Sequence, residues 1–280
     1  MITASMTTHT AFSSEVSRPS KVNAHIPWAA LILIGAIGGI LSGLFAIGGA
    51  IVMVPLLVWR AGMDQRLAAA TSLVAIIPTA IVSSATYLVH ADVDIMAAAL
   101  ISVGAIGGAI IGSRLLRRLP LEWLRWFFIA FILLIAAHML IAVPEPGHAL
   151  ALSPLVVIGY LILGVFTGVA SGLFGIGGAI ITVPLLGSVF AVSAVIAKGT
   201  ALLVSIPTSL AGTISNRHGS SSVDVRAGLI LGVTAAVTSV PAVNLAVALP
   251  PSVSAMTFAA LLIAIALQLT IKAVRARHTD

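Results

Sequence analysis

The stretches 22–59, of 38 residues, and 149–197, of 49, contain no Asp, Glu, Lys or Arg. As single helices they would run to about 57 and 73 Å, against a hydrocarbon core of ~30 Å. Each must therefore turn back, and the pairs Gly48-Gly49 and Gly177-Gly178 are the residues that permit it. The stretch after each pair, 49–59 and 178–187, falls short of the ~20 residues needed to span. Each predicts a half-helix that starts at the break and ends near Pro55 or Pro184. Further apolar spans are predicted at about 67–89, 95–113, 123–143, 194–216, 227–247 and 253–271.

The two breaks belong to one repeated segment. SGLFAIGGAIVMVPLL at 42–57 matches SGLFGIGGAIITVPLL at 171–186 in 13 of 16 positions, at an offset of 129. The offset also pairs Gly35 with Gly164, Gly39 with Gly168, Thr71 with Thr200, Pro78 with Pro207 and Thr79 with Thr208. One residue later, Val93-Asp94 matches Val223-Asp224 and Leu119-Pro120 matches Leu249-Pro250. The chain is a duplicated unit of about 130 residues.

Composition fixes the solvent. Hydrophobic residues make up 60% of the chain and charged ones 8%, where a soluble domain has about 25% charged. Too few polar groups exist to cover a water-exposed surface, so a soluble enzyme is excluded. There is no Cys, hence no disulfide or thiolate chemistry. The net charge of +6 maps the topology. If each Gly-pair segment enters and returns to its own side, 13 of the 14 Lys and Arg fall on the cytoplasmic side, with Lys198 the exception. Letting those segments cross instead would put Arg60 and Arg66 outside and break the pattern. Each unit then makes an odd number of crossings, so the repeats are inverted.

The expected fold is an all-α polytopic membrane protein with two inverted-topology repeats, each a re-entrant, broken-helix hairpin followed by three transmembrane helices. The expected segments are a cytoplasmic tail at 1–26, repeat 1 at 27–143, an external linker at 144–153, repeat 2 at 154–272 and a cytoplasmic tail at 273–280. The first tail is Ser/Thr-rich, lacks an apolar run and is not read as a signal peptide.

A break inside the membrane frees N–H groups at a helix N-terminus, where the dipole favours negative charge. Two inverted copies would aim Gly48, Gly49 and Ala50, and Gly177, Gly178 and Ala179, at one central anion site. Thr71, Ser72 and Thr200 could add hydroxyl donors, and Lys198 either offsets the substrate's charge or snorkels to the interface. His138 is a candidate for proton coupling or a residue satisfied by a neighbouring helix. Asn216 and Asn244 are polar residues of the second repeat without counterparts in the first. Asp92, Asp94 and Asp224 fall at span ends as boundary or capping residues, and Pro78 and Pro207 sit mid-span. The stripes Gly35/Gly39/Gly43, Gly104/Gly108/Gly112 and Gly164/Gly168/Gly172 read as close helix contacts. No cofactor or metal is expected, since the spans hold no carboxylates. Ser42 or Ser171 with His138 as base would make an intramembrane hydrolase, but the serine is duplicated and the histidine is not.

At its repeated SGLFxIGGAIxxVPLL segments the chain resembles the sulfite exporter TauE/SafE family of membrane permeases, over about 27–272. The family's Gly-rich motif corresponds to Gly43, Gly48, Gly49 and Pro55, and again to Gly172, Gly175, Gly177, Gly178 and Pro184; Ala46 stands where the second copy has Gly175. The resemblance implies transport of a small sulfur oxyanion or organic anion such as sulfite, a sulfonate or sulfoacetate. The expected function is a secondary transporter of that anion in the cell inner membrane, with both termini cytoplasmic and the lipid bilayer as its other partner. An anion channel is the alternative within transport.

Overall fold

A computed structural model describes residues 28–90, 92–141, 153–217 and 223–277. The expected N-terminal tail and nearly all of the linker lie outside these. Ten helices and no strand stand among the described residues. They fall into two sets of five in repeat order. The first is α1 (Trp28–Phe45), α2 (Ala50–Arg60), α3 (Gln65–Val89), α4 (Ile95–Arg118) and α5 (Leu121–Ile141). The second is α6 (Pro154–Phe174), α7 (Ala179–Ser188), α8 (Ala194–Arg217), α9 (Val225–Ala248) and α10 (Pro251–Arg277). Seven stretches, within α1, α3, α4, α6, α8, α9 and α10, are long and apolar enough to cross a membrane. Their outward faces carry Leu33, Val103, Phe166, Val237 and Leu267 exposed, a surface suited to lipid and not to water.

Local chemistry sets the starts and stops. Asp94 accepts from Ala97 N (2.9 Å) and Asp224 from Ala227 N (2.9 Å), so the two capping aspartates do the same work in both repeats. Asp64 caps α3 through Arg66 N and Leu67 N, and Ser153 caps α6, which has Pro154 in its first turn. At the breaks the chain turns on left-handed residues: Ala46, Gly48 and Gly49 have φ of 57, 67 and 71°, and Gly175, Gly177 and Gly178 have 71, 73 and 90°. Ala46 adopts the same conformation as its glycine counterpart, so the substitution does not alter the first break; it costs about 1–2 kcal/mol of backbone strain. The chain then doubles back. Met53 lies on Gly38, and Leu57, Ala61 and Met63 share a core cluster with Leu31 and Ile34 near the start of α1. In the second copy the Phe190 ring, just past α7, lies 4.5 Å from that of Tyr160 near the start of α6.

One expectation is corrected here. The half-helices do not end near Pro55 and Pro184 but run through them, to Arg60 and Ser188. A proline at the sixth position deletes a single i→i−4 bond while its φ suits the helix, and packing against the long partner holds the remaining turn.

The glycine stripes interlock the repeats. A Cβ on Gly104, Gly108 or Gly112 would collide with the carbonyls of Leu161, Val165 and Val169, and one on Gly164, Gly168 or Gly172 with those of Ile101, Ala105 and Ala109. Gly35, Gly39 and Gly43 meet the carbonyls of Leu231, Ala235 and Ser239 in the same way. Residue numbers rise together along each ladder, so α4 runs parallel to α6 and α1 parallel to α9. Close backbone approach of this kind is what small residues provide in a membrane, where no hydrophobic force drives helices together. Aromatic pairs obey the same reciprocity: Phe45 stacks on Phe258 (5.1 Å) and its counterpart Phe174 meets Phe128 (5.2 Å).

Side-chain links define the two ends of the bundle. At one end Arg66 Nη2 donates to Leu119 O (2.6 Å), Arg117 Nη1 to Ser215 O (3.0 Å), and Arg226 lies 4.8 Å over the Trp28 ring. The start of α3, the ends of α4 and α8 and the starts of α1 and α9 thus share that end, with its arginines. At the other, the start of α8 meets the start of α4 through Thr200 and Asp94. Since Ser113 also bonds to Ser215, α4 and α8 run in the same direction.

Candidate substrate site

Both breaks arrive at the middle of the bundle. Gly48 and Gly177 each lie against Ile76 of α3, Gly48 stands beside the Ile176 carbonyl, and Gly177 also approaches Ser209 of α8. The half-helices α2 and α7 start there. Ala50, Ile51, Ala179 and Ile180 are all fully buried, and neither Gly49 nor Gly178 supplies a side-chain cap. A helix start leaves its first N–H groups without intrahelical acceptors and carries roughly half a positive charge. Both such ends are buried and lack a side-chain cap. Gly49 and Gly178 have no room for a side chain: a Cβ would strike the Gly38 carbonyl and the Thr167 methyl respectively.

Of the residues picked out in the sequence, Gly48 and Gly177 meet at Ile76, and Gly49, Ala50, Gly178 and Ala179 follow them in the chain. Ser72 is next to it but engaged: its hydroxyl reaches Gly175 O (2.7 Å) and Ala69 O (2.8 Å), tying the second tip to α3. Thr71 and Thr200 serve the framework, Thr71 Oγ1 accepting from Asp224 N (3.2 Å) and Thr200 Oγ1 from Asp94 N (2.9 Å). These two bonds are reciprocal, each joining one repeat to the other.

Lys198 is 6% exposed, and its ammonium donates to Leu44 O (3.2 Å) at the end of α1 and to Ser254 Oγ (2.7 Å) of α10. A cation at a helix C-terminus satisfies carbonyls that have no N–H partner and opposes the dipole favourably. Tyr87 hydroxyl donates to Gly43 O (3.3 Å) beside it. The ammonium is therefore buried within the protein, against the end of α1.

His138 Nε2 lies 3.2 Å from Ser188 Oγ, whose hydroxyl donates to Pro184 O (2.8 Å), and the ring lines an apolar groove with Phe131, Phe166 and Leu185. Its hydrogen-bond partner is Ser188 and neither Ser42 nor Ser171, so the nucleophile and base of a hydrolase do not meet. Asn244 is exposed, and Asn216 is fully buried. Ile76, Tyr87, Ser209 and Ser254 are further residues at these contacts. Nothing in spacing marks them, since their roles come from which helix of the other repeat faces them.

The sulfite exporter TauE/SafE family profile matches residues 1–139 and 160–280. A probable membrane transporter protein, YunE of Bacillus subtilis (strain 168), is 28% identical over 210 residues, covering 66% of this chain and 77% of that protein. A second probable membrane transporter protein, MamO of Paramagnetospirillum magneticum (strain ATCC 700264 / AMB-1), is 32% identical over 143 residues, 48% of this chain and 22% of that protein. No solved structure matches.

Proposed function

We propose that this chain, which belongs to the sulfite exporter TauE/SafE family, is a secondary transporter that carries a small anion across the inner membrane. The substrate is sulfite or an organosulfonate such as sulfoacetate, bound between Gly48–Ala50 and Gly177–Ala179. The carrying observation is the pair of uncapped, buried half-helix starts that meet at Ile76. Backbone N–H groups and two dipole ends complement an oxyanion without a carboxylate or metal nearby. Lys198 adds a full positive charge at the rim of the first tip.

Alternating access is the mechanism, with the repeats inverted. Support for inversion comes from helix direction. The start of α8 meets the start of α4, which follows the end of α3, so the equivalent helices α3 and α8 point opposite ways. The arginines gathered at one end of the bundle support a cytoplasmic location for that end and for both termini. Ile76 wedged between the two tips supports a carrier over an open channel.

Binding or uptake in proteoliposomes across sulfite, sulfate, taurine, sulfoacetate and carboxylate analogues is the direct test. Saturable, counterflowing uptake of a sulfur oxyanion is expected; an inert protein would sink the assignment. For Lys198→Gln a lower anion affinity is expected, and unchanged affinity would confine the lysine to holding α1. Single cysteines in 187–193 should react from outside and those in 61–64 from the cytoplasm. Labelling of both from one face would refute inversion.

A further inference from the structure

The pseudo-symmetry that relates the repeats also relates the ends of α1 and α6, and there the two differ. At the end of α1, Tyr87 and Lys198 donate to the Gly43 and Leu44 carbonyls, and Ser254 Oγ accepts from the ammonium. At the offsets of 129 and 130, the corresponding residues at the end of α6 are Asn216 and Ala69, the carbonyls of Gly172 and Leu173, and Leu124. The correspondence is supported by every reciprocal contact described above, the ladders, the threonine links and the aromatic pairs. An ammonium and a phenol are thereby replaced by a methyl and a short amide. Among the described residues no side chain donates to the Gly172 or Leu173 carbonyl.

The polar atoms that the repeat offset assigns to this end have no partners. Asn216 is fully buried with both Oδ1 and Nδ2 unbonded, and Thr213 Oγ1, one turn earlier on the same face of α8, is also unbonded. Ser171 Oγ, adjacent to Gly172, is unpaired as well, as is its counterpart Ser42 Oγ at the end of α1. A threonine in a membrane helix ordinarily bonds back to the carbonyl four residues before. On this same helix Ser205 and Thr208 do so, at 2.9 and 2.7 Å, whereas Thr213 does not. A buried amide left unpaired at both atoms costs several kcal/mol. An ordered water or a bound ligand removes that cost.

We propose that the end of α6 binds a monovalent cation of the size of Na+, in the place that the Lys198 ammonium takes at the end of α1. The ligands are the carbonyls of Gly172 and Leu173 with Asn216 Oδ1 and Thr213 Oγ1. Hydroxyl, amide and carbonyl oxygens at the negative end of a helix suit a singly charged hard cation, and helix C-terminal ends are where transporters hold coupling Na+. Among the described residues there is no group of three His, Asp or Glu, which sets the site apart from a divalent one. One helix end has its cation supplied covalently, by Lys198, and the other takes it from solution. This rests on the anion-transport reading, to which it adds a counter-charge beside the second tip as Lys198 adds one beside the first.

The test is equilibrium binding of radioactive 22Na+ to the purified full chain in detergent, with choline replacing Na+ and K+ as competitor. Saturable binding with weak competition by K+ is expected. Asn216→Leu and the near-isosteric Thr213→Val should each weaken it roughly tenfold or more, the size of one lost ligand. Ala69→Lys, which gives α3 the ammonium that α8 has, should abolish it. Asn244→Leu, exposed on α9, should leave it unchanged. Sulfite binding measured in choline separates the two assignments. No saturable Na+ binding by the wild type, or Na+ binding retained in both Ala69→Lys and Thr213→Val, overturns the cation site whatever sulfite does. Na+ binding lost in those variants alongside no sulfite binding upholds the cation site and overturns the anion reading alone.

Discussion

The two hairpin tips are close copies in sequence and yet are held differently. The first, at Ala46–Gly49, ends a helix whose last carbonyls are bonded by Tyr87 and Lys198. The second, at Gly175–Gly178, ends a helix whose counterpart groups are Asn216 and Ala69, and is tied instead by Ser72 to the Gly175 carbonyl. The two breaks share their Gly pairs and left-handed turns, and the residues behind them differ. The difference teaches that an intramembrane helix end needs its charge and hydrogen bonds satisfied, and that several partners can do it.

The largest effect that would break this comparison is at the tips. Gly175→Ala combines a left-handed φ with a Cβ that strikes the Ala69 carbonyl, and should cost about 3 kcal/mol or more in thermal unfolding in detergent. Ala46→Gly should instead stabilise, by about 1 kcal/mol. Equal effects at the two positions would mean that the tips are not packed as described.

Next comes the cation at the end of α1, Lys198 of the second repeat. Lys198→Met leaves the Leu44 carbonyl and Ser254 unpaired and should cost about 2–3 kcal/mol, read by the same melting measurement. Asn216→Leu, measured without Na+, removes two unpaired buried atoms and should be neutral or stabilising. A loss of similar size in both would make the two helix ends equivalent after all.

Where the repeats agree, the effects should agree. Gly39→Ala and Gly168→Ala each force a methyl into a facing backbone and should cost about 2 kcal/mol apiece. The smallest effects belong to Thr71→Val and Thr200→Val, about 1 kcal/mol each for one lost hydrogen bond. Matched losses within each pair sharpen the symmetry, and a lopsided pair would show where it fails.

Much of the fold was legible in the chain because the signals were long or doubled. Charge-free runs longer than a membrane demanded a turn, and two Gly pairs in matching segments located it. Asp94 and Asp224 read as caps and are caps. Less of the candidate site was legible. The central glycines followed from the repeat, but Ile76 does not look different from its apolar neighbours, and only folding puts it between the tips. Thr71 and Thr200 were picked for the right property, a hydroxyl near the breaks, and that hydroxyl is used by the backbone of a helix start over a hundred residues away. Pro55 and Pro184 do not act as stops, because tertiary packing outweighs one missing hydrogen bond. The partners of Lys198, on α1 and α10, are separated from it by 154 and 56 residues, beyond the reach of any local pattern.

The glycine ladders also govern how the protein is made. The bare stripe of α1 finds its partner only when α9 has been synthesised, nearly 200 residues later. At ribosomal speeds of ~5–20 residues per second that is a wait of roughly ten seconds or more. Through that interval an early helix sits in the bilayer with a groove cut for a neighbour not yet made, exposed to any other small-residue helix that drifts past. Neither half of the chain can close its own packing, so a ribosome that stalls after the first repeat leaves an unfinished surface in the membrane for quality control to clear.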